Sequence, residues 1–374
     1  MSKKEQRKAP VLRFKGFTDD WEQRKWKDIL LVNSGKDYKH LSRGSIPVYG
    51  TGGYMLSVDK ELSNVDAIGI GRKGTIDHPQ YLKAPFWTVD TLFFMTPKKD
   101  INIDFAFGLS QTINWKKYDE STGLPSLSKK SIDNISIKLP NYNEQIKIGR
   151  IISQIDNVLS LQQRKLEQLE LLQKSILQTI FTSNNKKEKI ELNKLANYRR
   201  GSFPQPYTNK KWYGGKNSKP FVQVIDVNDN LKLHEQTKER ISEIAQPKSV
   251  FVPKGSIIVT LQGSIGRVAI TQYDSYVDRT LLILTDFKKK IDKYYFANAL
   301  KMVFNKEKLK APGGTIKTIT KSTLSSFKIV LPNIKLQIQY GKLLKSVDKQ
   351  IILNKNRIMK LKKIKQFLLQ NIFI

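Results

Sequence analysis

The sequence predicts an α+β chain in which two pseudo-repeated, β-rich globular domains are separated by two long coiled-coil helices. Three observations predict it. Written over itself with an offset of 192 residues, the stretch Asn141–Phe181 falls on Asn333–Phe373 without a gap. Leu139-Pro140-Asn141 meets Leu331-Pro332-Asn333, Gln145-Ile146 meets Gln337-Ile338, and Gly149, Asp156 and Phe181 meet Gly341, Asp348 and Phe373. Such a repeat fixes the architecture before any local reading. Both copies carry an apolar stripe of helical period, and the chain ahead of each copy carries short apolar runs broken by glycine turns. The predicted order is a globular domain at 1–140, a central helix at 141–185, a second globular domain at 186–332 and a C-terminal helix at 333–374.

The central stripe runs through Ile148, Ile152, Ile155, Leu159, Leu166, Leu169, Leu172, Ile176 and Ile180, with no proline inside. Its copy runs through Tyr340, Leu344, Val347, Ile351, Ile358, Leu361, Ile364, Leu368 and Ile372. At about 1.5 Å per residue each helix can reach about 55 Å, far beyond an ordinary globular helix. Gln162 and Asn354 interrupt the two stripes at the same place, and one polar seam residue is a device for fixing register and partner. A pair of amphipathic core helices would show the same stripe; length and matched placement favour a spacer in which the helices lie together. The expected seam or subunit interface is Ile152, Ile155, Leu159, Gln162, Leu166 and Leu169 with Leu344, Val347, Ile351, Asn354, Ile358 and Leu361.

Charge is the outlier in composition. The 374 residues carry a formal net charge of +33, with 39% hydrophobic residues, three histidines and no cysteine. That balance in a globular chain points to a polyanionic partner. It also excludes Cys/His zinc clusters and thiol nucleophiles. Residues 141–181 hold five Lys/Arg against four Asp/Glu, and 333–374 hold ten against one, so most of the excess lies on the globular parts. A basic amphipathic helix alone suits anionic lipid or is simply a solvated face. Charge spread over two domains suits a long duplex. Met1–Phe14 has no apolar core and the longest uncharged apolar run, Gly255–Gly266, is too short to span a membrane, so the expected location is cytoplasmic.

In the first domain an apolar run, Ile29–Val32, leads to the turn Ser34-Gly35-Lys36 and then to the glycine-rich stretch Ile46–Tyr54. Strands are expected at Ala67–Ile70 and Trp87–Met95, the first followed by Gly71-Arg72-Lys73-Gly74-Thr75. Glycines bracketing a cationic pair present it on a tight exposed turn. The second domain repeats the plan. Ile190–Ala196 leads to Tyr198-Arg199-Arg200-Gly201-Ser202, and strands are expected at Phe221–Val227 and Ser256–Thr260, the latter before Gln262-Gly263-Ser264-Ile265-Gly266-Arg267. An offset of 189 superposes Gly74-Thr75-Ile76 on Gly263-Ser264-Ile265, whereas 188 superposes Val89-Asp90 on Val277-Asp278. The helices read as strict copies and the domains as variations.

Two related domains on rigid helices can grip two segments of one duplex, and their divergence lets the segments differ in sequence. Base readout uses Arg or Lys for guanine and Asn or Gln for adenine. Arg72, Lys73, Arg199, Arg200, Gln262 and Arg267 are the expected DNA-binding residues, with Ser202, Gln205 and Ser264 beside them. Each can read a base, hold a phosphate or be a plain surface residue.

The two-halves plan, the Leu-Pro-Asn and Gln-Ile at the start of each long helix, the opening Asp20-Trp21-Glu22-Gln23-Arg24 and the Gly263–Gly266 turn together resemble the specificity subunit of Type I restriction-modification systems. The resemblance covers essentially the whole chain. It implies two target recognition domains, each for one half of a gapped, bipartite double-stranded DNA site. It further implies that the two long helices form an antiparallel coiled-coil spacer and dock two methyltransferase subunits, with restriction subunits joining the assembly. S-adenosylmethionine, ATP and Mg2+ would belong to those partners, with no cofactor or metal on this chain. One departure stands out: Glu144-Gln145 is matched by Leu336-Gln337, which puts in doubt a role for that carboxylate at the second position.

The letters hold no catalytic constellation. No two prolines are adjacent, so the Pro-Pro-aromatic loop of an adenine amino-methyltransferase is absent. The Gly-Lys pairs at Gly35, Gly215 and Gly341 precede Asp, Asn and Leu, not the Ser/Thr of a P-loop. His234-Glu235 lacks a second zinc-ligand histidine. A general DNA-binding or architectural protein is the alternative to the recognition subunit, and an enzyme with an unrecognised centre a third reading.

Overall fold

The computed structural model describes residues 9–182, 188–310 and 321–373. The stretch 183–187, which holds the expected boundary between the central helix and the second domain, lies outside the described residues. Two compact units divide the chain: residues 1–164 with 355–374, and residues 165–354. Each is β-rich, and each contains part of both long helices.

In the first unit a four-stranded antiparallel sheet has the order Leu30–Ser34, Leu92–Pro97, Ala67–Gly71, Gln80–Leu82. A hairpin, Arg43–Gly50 with Gly53–Val58, adds Trp87–Thr88 in parallel as a second small sheet. The second unit repeats the order with Ala196–Arg200, Leu281–Phe287, Ile257–Thr260 and Val268–Ile270. Its other sheet runs Glu239–Ile241, Lys219–Val222, Ser275–Val277, Val250–Val252. Trp26, Phe105 and Trp115 fill the first core and Tyr295, Phe296 and Phe304 the second, all fully buried.

Two expected strands are shorter than predicted. Trp87–Met95 breaks at Val89–Leu92, where the Leu92 N–H donates to Val89 O at 3.0 Å and the chain crosses from one sheet to the other. Phe221–Val227 stops at Val222 because the Asp226 carboxylate accepts the N–H groups of Gln223 (2.7 Å) and Lys238 (2.8 Å), a local bond that competes with the ladder.

The long helices are Tyr142–Thr182 and Ile334–Ile372, packed antiparallel. The shared Leu-Pro-Asn explains where they start. Proline sits just ahead of the helix, where its missing N–H costs nothing. The following asparagine is the cap, Asn141 Oδ1 accepting from Glu144 N and Asn333 Oδ1 from Leu336 N, both at 3.0 Å. In the first unit Lys365 meets Asp156 at 2.5 Å, and in the second Gln173 donates to Asp348 at 2.5 Å. Lys365 and Gln173 are themselves 192 residues apart, as are Asp348 and Asp156, so the two cross-helix pairs are equivalent under the repeat.

Along the expected seam Ile152, Leu166, Leu344, Val347, Ile351, Asn354 and Ile358 are buried, and Ile155, Leu159, Gln162, Leu169 and Leu361 half-buried. The stripe positions Leu172 and Ile364, also equivalent under the repeat, stand about half exposed at 49% and 50%. No helix among the described residues is long and apolar enough to cross a membrane.

Candidate nucleic-acid interface

In both units the turn after the first sheet strand is hydrogen-bonded to the turn that ends the switching strand. Gly35 N–H donates to Leu92 O (3.1 Å) and Lys36 N–H to Thr88 O (2.9 Å); Gly201 N–H donates to Leu281 O (3.2 Å) and Ser202 N–H to Val277 O (3.0 Å). Glycine is required at the crossing. A Cβ on Gly35 would lie 2.0 Å from Val89 O, and one on Gly201 2.1 Å from Val277 O. A third turn joins from the other side of the same strand, through Arg72 N–H to Thr91 O and Leu261 N–H to Thr280 O, both at 2.8 Å. Three turns thus meet at one end of each sheet, next to the paired positions Ser34–Phe93 and Gly71–Leu92, or Arg200–Leu282 and Thr260–Leu281.

Most of the sequence candidates stand on these turns. Arg72 and Lys73 are exposed in the first unit beside exposed Lys36, and the Arg72 guanidinium lies 5.6 Å from the centre of the Phe93 ring. In the second unit Arg199 and Arg200 are exposed at the strand end, with Gln262 and Ser264 exposed on the neighbouring turn. The Ser264 carbonyl accepts from Thr260 Oγ1 at 2.5 Å, which closes that turn. Ser202 is half-buried and its hydroxyl donates to Lys248 O at 3.2 Å. Gln205 is exposed, its amide 3.5 Å from Phe203 O. Arg267 is placed differently: half-buried, it pairs with Asp229 at 3.0 Å and donates to Val227 O at 3.3 Å, bracing the adjoining loop.

The sequence reading missed three features of this surface. Lys248 lies over the Trp212 ring at 4.8 Å. Arg279 lies over the Tyr207 ring at 5.3 Å. Burial and the neighbouring Asp278 carboxylate, which accepts the Tyr207 hydroxyl, push that phenol's pKa up. The third is a register. Backbone bonds pair Tyr49 O with Val89 N and Val222 O with Asp278 N, both at 3.0 Å, and the parallel pairs are Thr88 with Tyr49 and Val277 with Val222. Val89 therefore corresponds to Asp278, and the offset is 189 here as at the neighbouring turn. The Val-Asp letters that suggested 188 are a coincidence of sequence; the residue at the position of Asp90 is Arg279.

Among the described residues no group of three or more His, Asp or Glu side chains is placed to hold a metal ion.

Comparisons with known proteins agree on one family. The Type I restriction modification DNA specificity domain matches twice, at residues 18–171 and 184–363. The putative type I restriction enzyme MjaX specificity subunit of Methanocaldococcus jannaschii is 23% identical over 64% of this chain, a match that spans 59% of that relative's own length. The MjaIX specificity subunit of the same organism is 23% identical over 94% of this chain and 92% of its own. The crystal structure of the Type-I restriction-modification system S subunit from M. genitalium shares the fold, with a TM-score of 0.74 at 15% identity, covering 98% of this chain and 99% of that one. The doubled domain match, one copy on each half of the internal repeat, shows that the chain belongs to the family of Type I restriction-modification specificity subunits, which are non-catalytic.

Proposed function

We propose that this chain reads a bipartite, gapped DNA site, one half with each β-rich domain, and directs methyltransferase and restriction subunits to it. The observation that carries this is the repeated three-turn cluster. The backbone frame is the same in both domains while the side chains on it differ, Arg72 and Lys73 standing where the second domain has Leu261 and Gln262. A shared frame with unlike side chains is what two different half-sites require. The candidate DNA-contacting residues are Arg72, Lys73, Arg199, Arg200, Ser202, Gln205, Gln262 and Ser264, with Arg267 as a support.

The long helices serve as spacer and as docking surface for two methyltransferase subunits. Their exposed apolar side chains, among them Leu161, Leu171, Ile364 and Phe367 at 50–66% exposure, support this role. Chemistry then belongs to the partners, with their S-adenosylmethionine, ATP and Mg2+. Two domains on one spacer also raise the effective concentration of the second at its half-site once the first is bound.

The test is methylome sequencing of a host carrying this chain with its partner methyltransferase, against the same host with this chain deleted. A gapped two-part methyladenine motif that vanishes on deletion supports the reading. No motif difference, with both proteins expressed, turns it toward a general DNA-binding or architectural role.

A further inference from the structure

The corrected register places a carboxylate and a guanidinium at one position of the fold. Asp90 and Arg279 are each the second residue of a four-residue turn, closed by Leu92 N–H to Val89 O and by Leu281 N–H to Asp278 O, both at 3.0 Å. Both side chains are exposed, and neither forms an ion pair among the described residues. We propose that this turn position reads a base edge in each half-site, Arg279 a guanine and Asp90 a cytosine amino group. The inference rests on the reading that the three-turn end of each domain faces DNA.

Arg279 is backed by an aromatic stack. Its guanidinium lies over Tyr207; the Tyr207 ring stacks on Phe203 (5.1 Å, 21°), and Phe203 stacks on fully buried Phe221 (4.4 Å, 28°). The Tyr207 hydroxyl is bonded to Asp278, whose carboxylate is also tied to the N–H (2.8 Å) and hydroxyl (2.5 Å) of Thr280. A planar fork seated over a ring that is itself packed in place suits the O6/N7 edge of guanine, where bidentate geometry matters. The same fork can hold a phosphate bidentately, so the experiment below is chosen to separate the two contacts.

Asp90 argues from the opposite sign. It stands exposed at the turn cluster that also carries exposed Lys36, Arg72 and Lys73. A carboxylate there is repelled by phosphates and gains only from a donor; the major groove offers the amines of cytosine N4 and adenine N6, and the N7 acceptor beside adenine N6 disfavours a carboxylate there. A charge reversal on a common backbone also gives the two domains different preferences without changing the fold.

The experiment uses the full chain with its partner methyltransferase in a host, and compares the methylome motifs of wild type, Asp90→Asn, Arg279→Gln and Arg279→Lys. Each substitution is expected to relax one base position, in a different half-site for Asp90 and Arg279, with gap and remaining bases unchanged. The preference for the lost base should fall about tenfold or more, with Lys at 279 failing to restore it. The untouched half-site serves as the internal control for folding. An unchanged motif overturns the proposal. So does a uniform loss of methylation that Arg279→Lys restores, which marks a phosphate contact, and so do changes that fall in the same half-site. A wild-type chain that yields no two-part motif removes the underlying reading, and this inference with it.

Discussion

Gln145 and Gln337 make the same two hydrogen bonds, 192 residues apart. Gln145 accepts Asn102 N–H (3.0 Å) and donates to Pro140 O (3.0 Å); Gln337 accepts Asp292 N–H (3.1 Å) and donates to Pro332 O (2.7 Å). Asn102 and Asp292 in turn cap the helices that follow them, Asn102 Oδ1 accepting from Phe105 N at 2.9 Å and Asp292 Oδ1 from Tyr295 N at 2.8 Å. The repeated glutamine is thus a clamp between a long helix and the short helix of its domain, and it lies away from the candidate interface.

Replacing either glutamine by alanine leaves a part-buried N–H and a carbonyl, buried at Pro140 and part-buried at Pro332, without that partner. Each substitution is expected to destabilise by about 2 kcal/mol or more, and the two effects should add because the sites share no residue. Urea midpoints of the two single variants and the double variant check this.

Gly149→Ala and Gly341→Ala test the same clamp by sign. Glycine to alanine inside a helix ordinarily stabilises by about 1 kcal/mol. Here a Cβ would lie 2.4 Å from Asn102 Oδ1, or 2.3 Å from Asp292 Oδ1, so steric cost wins and both variants should lower the melting temperature.

Glu144 explains the departure between the copies. Its carboxylate, fully buried, takes a bidentate pair from Arg13 at 2.8 and 2.9 Å, and that bond also holds the Arg13 pKa above its ordinary value. Leu336 at the second copy is 36% exposed and has no such task. Arg13→Ala strands a buried charge and should cost about 3 kcal/mol. Glu144→Leu should cost less, because Arg13 keeps its bond to Asp19 O at 2.6 Å. Chemical denaturation of both variants gives the order; the reverse order refutes the assignment.

Binding should be steeply salt-dependent, with log K falling by about 0.9 per phosphate contact per log unit of salt. Lys73→Ala should reduce that slope by about one contact if Lys73 holds a phosphate, and leave the motif unchanged. Titration of the methyltransferase complex against a labelled duplex at several salt concentrations measures both.

Inserting four residues, about one helical turn, into both long helices should change the gap of the motif and leave its half-sites alone. The methylome of a host with the lengthened chain decides it, and an unchanged gap removes the spacer role.

What could be read from the letters was periodic or local. The 192-residue repeat, the helical stripes and the Leu-Pro-Asn starts depend on spacing and on residues adjacent in sequence. The repeated Gln145 and Gln337 were visible as letters, but their partners lie 43 and 45 residues upstream, where no local rule connects them. The same holds for the turn around Asp90: matching Val-Asp letters pointed to one register, and only the hydrogen bonds to Tyr49 and Val222 assign the other. Gly35 and Gly201 read as turn residues, whereas their stricter requirement is the carbonyl they cross.

The first unit is discontinuous in the chain. Phe373 packs on Phe105 at 5.4 Å between ring centres, and Leu12 N–H donates to Asn371 O at 2.9 Å, so residues from both ends close one core. The second unit, 165–354, is contiguous. On a ribosome the order of completion therefore inverts the order of synthesis. The unit begun first waits for residues 355–373, which follow the whole of the second unit. Until then the Phe105 region is an open apolar surface, and any change that removes Ile372 and Phe373 damages a core whose other buried residues lie more than 200 positions upstream.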